Sequence, residues 1–186
     1  LEGFFTADEL NYISENSLWC VIHTQWQLEA LQQSTLTQPI NVWLKMDSGM
    51  HRLGFLPDEY ANAWQQLTTM NQVNSIVHMS HFSSADDLDS SLTQQQTTLF
   101  INTIGDLPGD ISIANSPAVL SKKLTKSLTA ELSSRNQWIR PGIILYGACP
   151  IDDDELAQSL IPAMTFTAKV ISQRTINKND SVGYNA

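Results

Sequence analysis

The sequence predicts an α/β protein built as an incomplete (β/α)8 barrel of the TIM type, followed by the beginning of a C-terminal β-domain. Two observations lead to this fold class. Up to Pro150, short apolar runs alternate with longer amphipathic ones, which is the pattern of parallel strands joined by crossover helices. After Pro150 the chain becomes acidic and then alternates apolar with polar residues, which is typical of a half-exposed strand.

The predicted barrel strands are short apolar runs bounded by polar or turn-forming residues. They cover residues 20–24, 42–46, 75–80, 111–114 and 138–146, and residues 1–5 are predicted to finish an earlier strand. A closed barrel needs eight strands, and about six can be counted. About two strand–helix units are therefore expected to precede residue 1, which makes the chain an internal fragment.

Helices are predicted between these strands from amphipathic spacing and from opening signals such as Pro57. One opens at Thr6, and others cover 26–36, 57–70, 86–107, a segment from Ser116 and a segment around 124–133. Side chains predicted to share one helix face are Trp26, Ala30 and Leu31 in 26–36, and Leu88, Leu92, Gln95 and Leu99 in 86–107.

Three units follow from this pattern. Residues 1–150 form the partial barrel, residues 151–163 form an acidic linker, and residues 164–186 begin the C-terminal β-domain. In the last unit, Phe166, Ala168 and Val170 alternate with polar side chains over a predicted strand at 164–176.

Charge and cysteine content restrict the classes of partner and the compartment. A formal net charge of −9 argues against general affinity for nucleic acid or for anionic membranes, because both attract basic surfaces. Cys20 and Cys149, the two cysteines, lack the spacing of a zinc site or of a disulfide framework. We therefore expect no metal site and a cytoplasmic location.

Polar clusters occur where the predicted strands end, and barrel enzymes place their active sites there. The clusters lie at residues 45–52, 78–81, 113–116, 138–147 and 181–184. His78 and His81 in the second cluster could also form a metal-binding pair, and this hypothesis stays open here. Arg140 lies inside an apolar strand and needs a partner if it is buried.

These clusters carry a resemblance to bacterial alanine racemases. The strings are Lys-Met-Asp-Ser-Gly-Met-His-Arg-Leu-Gly-Phe from Lys45, Met-Ser-His-Phe from Met79, Ala-Asn-Ser from Ala114, Ile-Arg-Pro-Gly-Ile-Ile-Leu-Tyr-Gly from Ile139 and Val-Gly-Tyr from Val182. Each string alone is weak, but all five in order over the whole chain are specific.

The resemblance implies a barrel followed by a β-domain, acting as a homodimer with active sites shared between the subunits. It also implies pyridoxal 5'-phosphate as cofactor and interconversion of L- and D-alanine, which supplies D-alanine for peptidoglycan. The family's cofactor-anchoring lysine lies in a segment resembling Lys-Ala-Asn, which these 186 residues lack. By themselves they are therefore expected to be inactive.

The resemblance also implies a role for each matched residue. Arg140 would contact the pyridine nitrogen of the cofactor, and His81 would orient Arg140. Arg52 would bind the substrate, Lys45 matches a lysine that is carbamylated in many members, and Tyr184 would act as the catalytic base at the other subunit's cofactor. The remaining cofactor-binding residues would be Asn115, Ser116, Gly142 and Ile143.

Other functions remain open at this stage. A racemase for another small amino acid fits the same motifs. A decarboxylase with this cofactor should place a carboxylate where Arg140 stands. A non-catalytic cofactor-binding barrel would not need the second unit that begins after Pro150.

Overall fold

The computed structural model describes residues 2–132 and 134–184, without the side chains of residues 129, 131 and 154. At its centre is a parallel sheet with the strand order β1-β2-β3-β4. The strands are β1 Trp19–Ile22, β2 Ile40–Lys45, β3 Val73–Met79 and β4 Asp110–Ser112. Each connection between consecutive strands contains a helix, so the predicted βα alternation is confirmed over these units.

Several helices of the described residues begin at local capping signals. Thr24 caps α2, because its Oγ1 accepts the backbone N–H of Gln27 at 3.3 Å. Pro57 begins α3, where the Glu59 carboxylate accepts the backbone N–H of Leu56 at 3.2 Å. The helices are α1 Glu9–Glu15, α2 Gln25–Gln33, α3 Pro57–Thr68, α4 Leu92–Ile104, α5 Ser116–Leu120, α6 Lys122–Glu131 and α7 Asp154–Ser159, with a 3-10 helix at Ile143–Tyr146. None of them is long and apolar enough to cross a lipid bilayer.

The two faces of the sheet have different neighbours, because successive strand residues point to opposite sides. On one face Val42 and Leu44 are fully buried, and the Tyr60 hydroxyl of α3 donates to the Leu44 carbonyl at 3.1 Å. The other face carries three tryptophans whose ring centroids lie 5.1–5.9 Å apart. They are Trp19, Trp43 and Trp138. This second face is partly open to solvent, whereas the first is packed against helices.

The predicted fifth strand at 138–146 is wrong over most of its length. The backbone N–H groups of Trp138 and Arg140 donate to the carbonyls of Ile111 and Ala114 at 2.8 and 3.0 Å, so this segment lies beside β4 without a regular ladder. Pro141 has no N–H to continue the pairing, and the chain turns into the 3-10 helix. Residues 2–5 form no strand either, and Leu1 lies outside the described residues.

The prediction for α4 is wrong in its extent and in its buried face. The helix begins at Leu92 instead of residue 86, and residues 86–91 form turns and bends. Leu92 and Leu99 are 46 % and 39 % exposed. Polar side chains occupy much of the buried face, which consists of Thr93, Gln96, Thr97, Phe100 and Ile104. Hydrogen bonds to these polar groups remove the usual cost of burying them. In α2, Leu31 is buried but Trp26 is half-exposed, although the two were predicted to share one helix face.

The last part of the chain departs from the predicted strand at 164–176. No strand forms there, and Phe166 is 93 % exposed. A strand needs a neighbour for its backbone N–H and C=O groups, and no strand of the described residues lies beside this segment. Residues 151–163 contain the short helix α7.

Candidate active site

The carboxyl ends of the strands bring together side chains from three of the predicted clusters. Lys45 is the last residue of β2, His81 follows β3 by two residues, and Ser112 is the last residue of β4. Arg140 reaches the same place from the segment beside β4. We call Lys45, His81, Ser112 and Arg140 the strand-end site.

Arg140 is held by groups at the carboxyl ends of β3 and β4. Its Nη1 donates to Ser112 Oγ, and its Nη2 donates to the Ser80 carbonyl at 2.5 Å and approaches His81 Nδ1 at 3.3 Å. Its Nε is buried and has no hydrogen-bond partner among the described residues. Burial lowers the pKa of Arg140 to about 10, so the guanidinium still carries its proton near neutral pH and acts as a hydrogen-bond donor only.

His81 is neutral in this setting. Burial lowers its pKa to about 4, and the positive charges of Arg140, Lys45 and Arg52 add to the effect. Its Nδ1 can then accept a hydrogen bond from Arg140 with the ring proton on Nε2. The contact between His81 and Arg140 is therefore a hydrogen bond between a neutral acceptor and a charged donor.

Lys45 is buried, and its Nζ makes no hydrogen bond or ion pair with the described residues. Burial lowers its pKa to about 8, together with the charges of Arg52 and Arg140 and against the charge of Asp47. Asp47 makes no ion pair with this lysine. Its Oδ1 accepts the backbone N–H groups of Gly49 and His51, each at 3.0 Å, and its Oδ2 lies 3.3 Å from His51 Nδ1. The site therefore has an excess of positive charge near Lys45.

The loop from Lys45 to Phe55 folds back on itself. Phe55 N donates to the Lys45 carbonyl, and Asp47 N donates to the Phe55 carbonyl, each at 2.9 Å. Gly54 makes this possible with a φ of +128°, and a Cβ there would lie 2.4 Å from the Asp47 nitrogen. The loop carries Arg52 beside the carboxyl end of β1, where it lines a cavity of about 610 Å³ with Phe4, His23, Trp26 and others.

A second group of donors lies at the start of α5. Ser116 is buried, and its Oγ accepts the backbone N–H of Gly142 at 2.8 Å, which leaves the hydroxyl proton free to donate. The N–H of Ile143 donates to no described residue. The Asn115 side chain caps α5 by accepting from Ala118 N, and it also donates to the Phe82 carbonyl, each at 3.4 Å.

Two predicted site residues stand apart from this arrangement. Arg52 is exposed and makes no hydrogen bond or ion pair with the described residues. Tyr184 is fully exposed, and the structure brings it to none of the strand-end residues. The two histidines of the second cluster also separate, because His78 faces Tyr60 on the helix-covered side. Among the described residues, no cluster of three or more histidine, cysteine, aspartate or glutamate side chains has the arrangement of a metal site.

The sequence analysis did not single out Ser80, Ser112 or Gln96. Ser80 and Ser112 supply a carbonyl and a hydroxyl to Arg140, and Gln96 donates to the His81 carbonyl at 3.1 Å. One signal could have found the serines: each stands at the end of an apolar strand, and a buried arginine predicted nearby needs hydrogen-bond partners.

Comparison with known proteins identifies the family. A sequence model described as alanine racemase, N-terminal domain, matches residues 1–150. A Pseudomonas aeruginosa protein named alanine racemase, catabolic, is 47 % identical over the whole chain, and an alanine racemase of Pseudomonas entomophila is 45 % identical. The chain spans 50 % of each of these relatives, so it corresponds to about half of their length.

Solved structures agree with this assignment. The biosynthetic alanine racemase of Pseudomonas aeruginosa superposes with a TM-score of 0.84 at 39 % identity, over 100 % of this chain and 49 % of that one. The alanine racemase of Acinetobacter baumannii gives 0.77 at 34 % identity, over 99 % and 50 %. The four parallel strands are thus part of a TIM-type barrel. The chain belongs to the family of the alanine racemase N-terminal domain.

Proposed function

We propose that the complete protein containing this chain interconverts L- and D-alanine with pyridoxal 5'-phosphate as cofactor. The observation that carries this proposal is the Arg140–His81 hydrogen bond at the strand ends. It lies in a chain that resembles enzymes named alanine racemase over its whole length. No observation favours a racemase for another amino acid over this assignment.

The donors at the site fit the hydrogen-bond acceptors of this cofactor. Arg140 would face the pyridine nitrogen, because its guanidinium only donates and its Nε is a buried donor without a partner among the described residues. The phosphate would be held by the Ser116 hydroxyl and by the backbone N–H groups of Gly142 and Ile143. A Cβ built on Gly142 would meet only Ser116 Oγ, at 3.9 Å, so a ligand could approach the backbone here. Asn115 would contribute by shaping this turn.

The cofactor, when bound, supplies the electron withdrawal that acidifies the Cα proton of an amino acid. Arg140 limits that withdrawal, because an arginine that keeps its proton does not protonate the nitrogen it faces. The residues thus favour simple proton exchange at Cα over other reactions that pass through a carbanion. His81 remains neutral near pH 7 and fixes the orientation of Arg140.

Lys45 is suited to carbamylation by carbon dioxide. With a pKa near 8, a substantial share of the amine is unprotonated near neutral pH and can attack carbon dioxide. The unprotonated nitrogen bonds to the carbon of carbon dioxide as one C=O π bond opens onto its oxygen, and an N–H proton leaves. Counted from the ammonium ion, two protons are released and the cation becomes an anion. That anion would offset the positive charges of Arg140 and Arg52, and it would hold Arg52 where a substrate carboxylate binds.

The remaining assignments concern the assembly of the complete protein. Tyr184 would act as a base at the cofactor of the other subunit in a homodimer. Residues 164–186 would begin the β-domain that carries it, residues 1–150 the barrel and residues 151–163 the linker. We place the protein in the cytoplasm, where the free thiols of Cys20 and Cys149 would stay reduced.

The activity test uses the complete gene product loaded with pyridoxal 5'-phosphate. It should convert L-alanine to a mixture with D-alanine, measured by chiral chromatography, and should act on serine much more slowly. Absence of D-alanine from protein that has bound the cofactor would refute the proposal. Faster turnover of serine would make alanine the wrong substrate.

The role of Tyr184 is tested by exchange of the Cα proton with deuterated water, measured separately for each enantiomer. Tyr184→Phe should slow exchange by about 10²–10⁴-fold for L-alanine, the usual scale for a positioned acid–base group, and far less for D-alanine. Equal small losses for both enantiomers would assign Tyr184 a packing role only.

A further inference from the structure

Gln96 is the most buried polar side chain of α4, with 2 % of its surface exposed. The same helix leaves Leu92 and Leu99 substantially exposed. An amide therefore occupies a core position on this helix, while two leucines of the same helix face solvent. Burying an amide without partners is costly, so its hydrogen bonds indicate why it lies there.

All four hydrogen-bonding positions of the Gln96 amide are occupied. Its Oε1 accepts the backbone N–H of Ser83 at 2.9 Å and the Ser83 hydroxyl at 3.1 Å. Its Nε2 donates to the His81 carbonyl at 3.1 Å and to Ser48 Oγ at 3.4 Å. A backbone N–H can only donate and a carbonyl can only accept, so the orientation of the amide is unambiguous.

These bonds hold the turn of residues 81–83 from both ends. The turn carries the His81 ring, which contacts Arg140 at 3.3 Å, and it directly follows Ser80, whose carbonyl accepts from Arg140 at 2.5 Å. A displacement of the turn would therefore move the His81 ring relative to the guanidinium.

The same amide also reaches the loop that carries Lys45 and Arg52. Ser48 belongs to that loop, and its Oγ lies 2.7 Å from Ser80 Oγ, which donates to the Met46 carbonyl at 3.0 Å. Gln96 thus contacts both the loop that carries Arg52 and the turn that carries His81.

We propose that Gln96 is a positioning residue for the racemase site, which holds the His81 turn against Arg140 and ties it to the Lys45–Arg52 loop. Its use in racemisation rests on the function proposed above. The geometric part does not, because it concerns only how this chain arranges His81 and Arg140.

The first experiment measures the pKa of His81 in the complete gene product without cofactor, by NMR with 13C-labelled histidine. Gln96→Met keeps the side-chain volume but removes all four hydrogen bonds. The freed turn should move His81 away from Arg140, Lys45 and Arg52 and towards water, so its pKa should rise from about 4 towards the ordinary histidine value. Gln95→Met, one position along on the exposed side of α4, should leave this pKa unchanged.

The second experiment measures steady-state kinetics and the visible absorption of the cofactor-loaded protein. Gln96→Met should lower kcat by about 10- to 100-fold, the scale expected for misplacing a reacting group by about 1 Å. It should change the KM for alanine much less and should shift the absorption maximum. Gln95→Met should match the unaltered protein in all three measurements.

An unchanged His81 pKa in a folded Gln96→Met protein would overturn the proposal, even if its melting temperature fell. Should that variant not fold, Gln96→Asn keeps a neutral amide but shortens the side chain by one methylene, so that it can no longer reach both the His81 carbonyl and Ser83. An unchanged His81 pKa there would overturn the proposal equally. An unaltered protein without racemase activity would refute the proposed function, whereas the NMR comparison would still decide the role of Gln96.

Discussion

Two arginine–histidine pairs lie near the same strands but in different surroundings. Arg135 and His78 belong to the helix-covered side and share the Leu107 carbonyl, at 2.5 and 3.1 Å. Arg140 and His81 lie at the carboxyl ends of β3 and β4 and contact each other directly at 3.3 Å. Burial lowers the pKa of both histidines to about 4, so burial alone does not distinguish the pairs.

The pairs differ in whether a buried donor is left without a hydrogen-bond partner among the described residues. Arg135 also donates to the carbonyls of Gly105 and Gly109 at 2.7 and 3.1 Å. Because Gly105 is the C-cap of α4, Arg135 helps to cap this helix. Both ring nitrogens of His78 have partners, one of them the Tyr60 hydroxyl at 3.0 Å. Arg140 keeps a buried Nε without a partner among the described residues. Buried polar groups that all have partners are typical of a structural pair, whereas a buried donor without a partner at the strand ends fits the ligand-binding role proposed for Arg140.

The largest expected effect is that of Arg140→Ala on activity. In the complete, cofactor-loaded protein, kcat/KM for alanine should fall by about 10²–10³-fold, the scale for removing one preorganised donor. The urea midpoint should change less than in the Arg135 variant. Retention of full activity in a coupled assay for D-alanine would place Arg140 outside the site.

Arg135→Ala should have the opposite profile. It removes charged donors from three carbonyls, so the free energy of unfolding should fall by about 2–3 kcal/mol. At temperatures where the variant remains folded, kcat should stay within about two-fold of the unaltered value. Urea denaturation checks the stability and the racemase assay checks kcat. A large loss of kcat with intact stability would show that Arg135 is not a purely structural residue.

Acid should destabilise the protein through both histidines. The unfolded histidines bind protons near the ordinary pKa of 6.5, whereas the folded ones bind them only near 4. The stability is therefore complete above about pH 6.5 and decreases as the pH falls towards 4, by at most about 1.4 kcal/mol per pH unit for each histidine. His78→Gln should reduce this slope in urea titrations, and an unchanged slope would mean that His78 is protonated in the folded state. Against partial burial, backbone N–H donors from Gly49 and His51 lower the pKa of Asp47, so the stability that this carboxylate adds is present above about pH 3.8 and is lost as the pH falls further.

The smallest expected effect is that of Tyr60→Phe. The hydroxyl lies 3.1 Å from the Leu44 carbonyl and 3.0 Å from His78 Nδ1, and its loss should lower the free energy of unfolding by about 0.5–1.5 kcal/mol. Activity should not change. A marked decrease in kcat with little loss of stability would show that the structural pair influences the strand-end site.

The sequence predicted the repeated strand–helix units well, because apolar runs and capping residues are local signals. Pro57 begins α3 as expected, and α2 begins at Gln25, one residue before its predicted start. The prediction failed where the local structure depends on hydrogen-bond partners from distant parts of the chain. α4 turns Gln96 inward because Ser83 and His81 offer it hydrogen bonds, and residues 164–176 form no strand because no strand of the described residues pairs with them.

The candidate site could be predicted as a set of strand-end clusters, but its contacts could not. The resemblance identified His81 and Arg140 by their motifs, and the structure places them 3.3 Å apart. The serines that hold Arg140 carry no motif of their own. The roles of Arg52, Lys45 and Tyr184 stay predictions, because their proposed partners are a ligand, a modification and a second subunit.

By itself, the sequence determined a parallel α/β sheet with its polar residues at one edge, since the order of apolar runs sets the topology and the topology sets which strand ends meet. Only the tertiary structure decided which polar groups satisfy one another. Arg140 takes its partners from Ser80, His81 and Ser112, which lie 28 to 60 residues away along the chain. A hydrogen bond forms only when donor and acceptor lie within a few tenths of an ångström of the right separation. The packing of distant segments sets that separation, and the periodicity of the sequence does not encode it.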